Sequence, residues 1–467
     1  MLDEGSAGAV ARKAPVRVLD DAQVSARLRE HEESYLVGAG PGEDGGVVRY
    51  DTSFLASNSP IEDDHAEKIV DARDVGPDGG RWFFWGVYDG HGGWTTSATL
   101  REYLISYVAR EVAATVRALA PGTAARARDA AVDAAMERGF EALDDEIVHR
   151  SVERLVAGGS KPAAAEALAP ALSGSCGLLA FYDAAAQTLR VACTGDSRAV
   201  LGHRGASGRW TATPLSVDQT GDNEEECRRL REEHPGEGAT VVRHGRVLGS
   251  LQPTRAFGDA RYKWPADVQR RIADMFFGRR TPANLLTPPY VTAKPVVMRT
   301  RVVPERGDFV VLATDGVFDV LSNQQVVSLV VEWLKAQPDF APTRERPSAL
   351  SRLLPWTAED IVDDDNGAYN NVFVAKPSVR ELGQFRDRYV IDDANAATHI
   401  VRNALGGADR EHVAMLASIP APFSRNYRDD MTVTVVFFGD QPGVPAGGDP
   451  ITVNTAATRG GPPRPKL

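Results

Sequence analysis

Residues 82–88 read WFFWGVY, an apolar run long enough for one strand, and Asp89, Gly90, His91, Gly92 and Gly93 follow without a break. The side chains of such a run must leave water, since burial of apolar surface is worth roughly 25 cal/mol per Å2. A core strand therefore delivers an acid and a histidine to a glycine-lined corner. Any fold for this chain has to give that corner a purpose.

The periodicity around the run sets the fold class. Residues 22–33 have room for one short helix, and the turn-rich GAGPGEDGG at 38–46 follows, so residues 1–46 read as a loosely attached arm. Strands are expected at 47–50, 69–72 and 82–88. From Thr95 the period changes: Leu100, Leu104, Tyr107, Val108 and Val112 recur every three or four residues, as an amphipathic helix requires. Val132, Met136, Phe140, Leu143 and Ile147 mark a second helix. The Ala/Pro/Gly-rich stretch 157–174 reads as a linker. GSCGLLAFYD (174–183) and TLRVACTGDSRAVLG (188–202) read as β segments joined in a hairpin, with TGDS interrupting the second. A charged helix is expected at 224–233, a strand at 309–313, a helix at 324–334 and a closing strand at 431–438. Residues 336–395 read as an irregular insertion and 439–467 as a disordered tail. Strands, two helices, many strands, one helix and a strand suit antiparallel sheets covered by helices better than alternating βαβ units.

Composition narrows the function. The chain has 467 residues, 43% of them hydrophobic, with a formal net charge of −11 and no dense Lys/Arg block. Nucleic-acid binding needs a cationic footprint, so it is disfavoured. Three cysteines without a CxxC pair suit reduced thiols rather than a disulfide framework. No apolar run approaches the roughly 20 residues of a membrane helix. Asp3 and Glu4 fit neither a signal peptide nor a transit peptide.

Asp89 has company. Glu62, Asp63 and Asp64 precede a strand, Asp196 sits in TGDS, Asp315 and Asp319 follow the strand at 309–313, and Asp429 and Asp430 precede the last strand. One Asp-Gly after a strand is most often only a turn. Several such acids in this order are another matter, because buried carboxylates are costly unless paired or bound to a metal. Hard oxygen ligands favour Mg2+ or Mn2+. A cysteine-phosphatase cradle is excluded, since only four residues separate Cys193 from Arg198. An EF-hand reading of DDDNG at 363–367 fails because Val362 and Phe373 would hold its first and twelfth positions.

As an ordered set, IEDDHA, YDGHGG, GSCGLLAF, TGDSRAVL, VLGSLQPTRAFGD, LATDGVFDVLS and RDDMTVTVV resemble the metal-dependent protein Ser/Thr phosphatases of type 2C. The likeness spans residues 47–438. FGDARYKWP, LLTPPYVTAKP, NAATHIVRNALGG and NYRDDMT are similar to the pyruvate dehydrogenase phosphatase branch and its fungal relatives. The resemblance implies an α+β fold, an α-β-β-α sandwich of two mostly antiparallel sheets flanked by helices. It implies two Mg2+ or Mn2+ ions, with Asp89 bridging them and the Gly90 carbonyl as a further ligand, Glu62 and Asp63 on one ion directly or through water, and Asp315 and Asp429 on the other. Asp196 and Asp319 correspond to the acids of a weaker third ion, and His91 to the proton donor for the leaving alcohol. A metal-activated water would attack a phosphoserine or phosphothreonine substrate, with the E1 subunit of pyruvate dehydrogenase the implied partner.

The same resemblance implies a monomer in the mitochondrial matrix, or in the cytoplasm if the missing transit signal is taken at face value. Many members carry a phosphate-binding arginine where this chain has Asn58. Arg255 and Lys263 are the other cations considered for phosphate or substrate, Arg255 being read chiefly as an ion-pair partner. Residues 259–295 would be a flap beside the cleft, with Tyr262, Lys263 and Trp264 either contacting substrate or pinning the flap. A catalytically inactive scaffold is the alternative, and the presence of Asp89, Asp315 and Asp429 speaks against it.

Overall fold

The computed structural model describes residues 17–37, 45–75, 80–158, 160–205, 208–276, 281–282, 284–337, 340, 362–363 and 389–439. The tail expected at 439–467, except for Gly439, and most of the insertion expected at 336–395 lie outside these residues.

Two sheets carry the fold. One has seven strands in the order β1 (Glu33–Leu36), β2 (Val47–Leu55), β17 (Met431–Phe438), β15 (Phe309–Ala313), β9 (Arg198–Arg204), β10 (Trp210–Pro214) and β16 (Val362–Asp363). Its pairs are antiparallel apart from β10 with β16. The other has five antiparallel strands, β14 (Val296–Arg301), β8 (Thr188–Thr194), β7 (Gly177–Asp183), β4 (Arg81–Tyr88) and β3 (Asp64–Asp71). Three short strands, β13 (Phe257–Gly258), β6 (Gly174–Ser175) and β5 (Gly90–His91), make a small separate sheet. A hairpin of β11 (Val242–Arg243) and β12 (Arg246–Val247) completes the set.

The apolar run of β4 is continuous because both its faces are buried. Phe83, Trp85 and Val87 pack between the sheets against Val310, Leu312 and Val436. Trp82, Phe84 and Tyr88 face the other way, into a core with α2 (Thr95–Ala118) and α3 (Ala125–Asp145). On the far side, Phe309, Val311, Val433 and Val435 pack with residues of α1 (Asp21–Arg29) and of the later helices over 323–336, 396–404 and 410–418. The result is the α-β-β-α sandwich.

Two expectations are corrected. The loosely attached arm at 1–46 gives way to integrated structure over 21–36. Val24 and Leu28, four apart on α1, are buried in the outer core, and β1 extends the sheet through Glu33↔Thr52 to Leu36↔Arg49. Pairing with β2 also ends α1 at Arg29, before residue 33. The linker expected at 157–174 is mostly helix: α4 (Ser151–Val156) stops just before it, and α5 (Lys161–Leu172) fills most of it. Ser160 caps α5, Pro162 falls in its first turn where no N–H is needed, and Ala164, Ala167, Leu168 and Ala171 bury one face. Composition alone suggested a linker, but alanine is the best helix former, and here it has a core to face.

The segment 188–202 is also more than an interrupted hairpin. β8 belongs to the five-stranded sheet and β9 to the seven-stranded one, so Thr194–Arg198 crosses between layers. Asp196 sits on that crossing. The other α-helices among the described residues are α6 (Glu224–Glu233), α7 (Ala260–Lys263), α8 (Ala266–Met275), α9 (Asp315–Phe318), α10 (Asn323–Ala336), α11 (Ala396–Ala404) and α12 (Arg410–Ser418). No described helix is long and apolar enough to cross a membrane.

Candidate active site

Asp89 leaves the end of β4 and its carbonyl accepts from Cys176 N at 2.8 Å. The chain then runs as β5 beside β6, with Gly90 opposite Ser175 and His91 opposite Gly174. A Cβ at Gly90 would lie 2.0 Å from the carbonyl oxygen of Glu62, so only glycine lets the acidic loop 61–64 close over the strand end. Asp315 opens α9 immediately after β15, and Asp196 arrives from the sheet crossing. Asp89, Asp196 and Asp315 thereby converge, with one carboxylate oxygen of each within 4.8 Å of the others.

Burial and mutual repulsion dominate the electrostatics. Burial, with Asp315, Asp63 and Asp196 as neighbours, pushes the Asp89 carboxyl well above its usual range. Burial and then Asp430 do the same to Asp63, although the hydroxyls of Thr314 and Thr432 donate to it at 2.9 and 2.8 Å. Asp196 is raised to about 7 by burial and Asp315, even with the Cys176 thiol donating to it at 3.0 Å. Burial and then Asp315 lift Asp319 to about 6, and burial lifts Glu62 and Asp315. One oxygen of Asp315 is buried without a hydrogen-bond partner. An all-oxygen donor set with an orphaned carboxylate oxygen fits hard divalent cations.

The other expected residues divide. Asp429 stands outside the three-acid convergence, its carboxylate ion-paired with Arg425. The adjacent Asp430 is turned inward, 2% exposed. It accepts from the backbone N–H groups of Asn58 and Glu62 and from the Asn58 side chain, each at 3.0 Å. Asn58 is therefore a tie that shapes the acidic loop. Arg255 pairs with Glu226 at 2.6 Å and donates to the Lys294 carbonyl at 2.8 Å. Lys263 is corrected as a substrate contact: it is 4% exposed, and its ammonium donates to both Asp144 oxygens and to the Ala256 carbonyl. Trp264 donates to the Val148 carbonyl at 2.8 Å, so these flap residues pin the segment down.

His91 has a partner that the sequence did not reveal. Its Nε2 lies 2.7 Å from Asp259 Oδ2. The contact passes over Gly174, where a Cβ would lie 2.1 Å from Nε2. Asp259 takes a left-handed φ of 48°, strained for a residue other than glycine. The small β13–β6–β5 sheet holds the pair together. Burial pulls the His91 imidazole down, but Asp259, together with Asp196 and Glu62, more than offsets this, and the net shift is upward.

The pattern of the protein phosphatase 2C family matches residues 57–353. The mitochondrial pyruvate dehydrogenase (acetyl-transferring)-phosphatase 1 of Saccharomyces cerevisiae is 40% identical over 97% of this chain and 78% of its own length. A protein phosphatase 2C homolog of Schizosaccharomyces pombe is 41% identical over 90% of this chain and 85% of its own. The human mitochondrial pyruvate dehydrogenase (acetyl-transferring)-phosphatase 1 is 30% identical over 89% and 82%.

The chain belongs to the protein phosphatase 2C family. It is a protein serine/threonine phosphatase of a metal-dependent family, and its substrates are phosphoproteins.

Beside the phosphatase centre a groove of about 580 Å3 opens at His91, lined by Gly92, Leu172, Asp259, Arg261, Trp264 and Ile272 among others. Its mixed apolar and charged walls suit a polypeptide segment.

The crowded acids give the phosphatase a pH signature when stripped of metal. Each raised carboxyl binds its proton more tightly folded than unfolded, so stability is lost as pH rises from about 4, the unfolded value, through the folded one. For Asp196 that window closes near 7. EDTA-treated protein is therefore expected to melt several degrees lower at pH 8 than at pH 6. Added Mn2+ should flatten that dependence, as scanning calorimetry can show.

Proposed function

We propose that this phosphatase hydrolyses phosphoserine and phosphothreonine esters at a two-cation centre of Mg2+ or Mn2+, and that its target is the phosphorylated E1 subunit of pyruvate dehydrogenase in the mitochondrial matrix. The convergence of Asp89, Asp196 and Asp315 at the ends of three separate segments carries the reading. Asp89, Glu62, Asp63, Asp315, Asp429 and the Gly90 carbonyl are the groups that would hold the two cations, with Asp196 and Asp319 available to a third. Two divalent cations at such a centre supply an activated water at neutral pH and charge stabilisation for the phosphoryl oxygens.

The chain's own residues supply the rest. His91 donates the proton that the leaving serine or threonine oxygen requires, a contribution typically of about 10²–10⁴-fold. Asp259 orients the imidazole and favours its protonated form. Target and compartment rest on the yeast and human relatives, both mitochondrial pyruvate dehydrogenase phosphatases. All the acids of the centre are present, which favours activity over a scaffold role.

Phosphate release from a phosphoserine peptide that needs Mg2+ or Mn2+ and stops with EDTA is the expected result. Release undiminished by EDTA would overturn the two-cation centre. In cells, matrix imaging of the tagged protein and raised E1 phosphorylation in a deletion strain test the target. Asp259→Asn should lower kcat by roughly 10- to 100-fold while leaving the Mn2+ concentration for half-activation unchanged. An unchanged kcat would remove Asp259 from the proton-donor assembly.

A further inference from the structure

The carboxylates around Asp89 need a counterpart that recognises the substrate's own negative charge. Asn58 is committed to Asp430, Arg255 to Glu226 and Lys263 to Asp144. Arg425 is placed differently. It pairs with Asp429 at the rim of the centre, with side-chain exposures of 45% and 24%. Burial raises the carboxyls of Glu62, Asp315 and Asp319, and in each case the charge of Arg425 works against that rise. One guanidinium thus acts on four acids from three segments of the chain. Arg261, in the groove beside His91, is not among the principal charges acting on Asp89, Asp196 or Asp315.

The loop that carries Arg425 is held by its neighbours in sequence. Ser424 is fully buried and donates to the Ser57 carbonyl. Arg428 donates to the carbonyls of Ala56 at 2.8 Å and Leu416 at 3.3 Å. Around these anchors two aromatics face outward, Phe423, 51% exposed, just before Ser424 and Tyr427, 65% exposed, just before Arg428, on either side of Arg425 in sequence. A cation flanked by two solvent-facing aromatics on a tied-down loop, at the rim of an acidic centre, suits a phosphorylated polypeptide. Arginine's planar fork can donate to two phosphoryl oxygens at once. The aromatics offer large rigid contact surface to the residues around the phosphosite.

We propose that Arg425 grips the substrate's phosphoryl group, and that Phe423 and Tyr427 bracket the polypeptide on either side of it. Once Asp429 is engaged by a cation, its hold on Arg425 weakens and the guanidinium donors turn to the phosphoryl oxygens. This assignment rests on the two-cation phosphatase reading and adds to it the residue that binds phosphate.

The test uses inorganic phosphate as a competitive inhibitor of phosphopeptide hydrolysis at saturating Mn2+. Arg425→Ala is expected to raise both the phosphate Ki and the phosphopeptide KM by about 10- to 100-fold, as loss of a charge-assisted contact implies. The Mn2+ requirement should not rise, because the arginine competes with the cation for Asp429. Arg425→Lys should recover part of the loss, since charge returns without the fork, and Arg261→Ala should leave the phosphate Ki unchanged. Phe423→Ala and Tyr427→Ala should raise the phosphopeptide KM but not the phosphate Ki. An unchanged phosphate Ki in Arg425→Ala, or a shift in Mn2+ requirement alone, overturns the assignment. Wild-type protein that releases no phosphate sinks the phosphatase reading instead. Calorimetric titration of phosphate into Mn2+-loaded wild type and Arg425→Lys, with circular dichroism as the folding control, then decides Arg425 independently.

Discussion

Asp89→Asn is expected to cut phosphate release from a phosphoserine peptide by on the order of 10³-fold at saturating Mn2+, the upper end of what loss of one preorganised electrostatic group costs. The reason is position. Asp89 is fixed by β4 on one side and by the small β5–β6 pairing on the other, with Gly90 admitting the acidic loop against it. Asparagine keeps the shape and removes the charge, so the centre would lose the ligand proposed to be shared without losing its walls.

The same substitution should act on stability in the opposite sense. In metal-free protein, Asp89 is crowded by Asp315, Asp63 and Asp196 in a buried site. Removing one like charge relieves that crowding, so the EDTA-treated variant should melt above wild type. Its melting temperature should also gain little from Mn2+, because ligand stabilisation scales with affinity for the folded state. Activity near wild type, or an undiminished gain from Mn2+, would sink Asp89 as the central ligand.

Lys263→Ala is expected to lower unfolding free energy by about 3–5 kcal/mol, as when one partner of a buried ion pair is removed. The lysine is 4% exposed, and its three donors go to Asp144 Oδ1, Asp144 Oδ2 and the Ala256 carbonyl. Truncation would leave Asp144, already pushed up by burial, with the Gly258 amide as its remaining hydrogen-bond donor among the described residues. The loss is structural, so the phosphopeptide KM of the folded variant should match wild type. Lys263→Met combined with Asp144→Leu should regain most of the stability, because a well-packed apolar pair avoids the desolvation of both charges. Guanidinium unfolding of wild type and the two variants checks this, and a large KM change with little loss of stability would restore Lys263 as a substrate contact.

Much of the fold was legible because it follows local pattern. The run at 82–88 had to be a buried strand, and Leu100, Leu104, Tyr107, Val108 and Val112 had to share one face of a helix. The acids at strand ends were also visible, since their order along the chain needs no knowledge of contacts. Residues 161–172 were misjudged because alanine, proline and glycine suit a linker until a core is present to bury Ala164, Leu168 and Ala171. The helix and strand over 21–36 were misjudged as an arm for the same reason, their partners in β2 and the outer core being far away in sequence.

The sequence by itself determined that acids and glycines stand at the ends of buried strands, and hence the family and the kind of cation the chain can hold. Tertiary structure decided which side chain faces which. Asp429 and Asp430 are neighbours in sequence, yet one meets Arg425 at the rim and the other ties down Asn58 and the acidic loop. His91 meets Asp259 across 168 residues, and Lys263 meets Asp144 across 119. Successive residues in an extended segment point in opposite directions, and partners over such separations are chosen by how the layers stack. Periodicity fixes what must be buried, whereas only the stacked layers fix what each buried charge will touch.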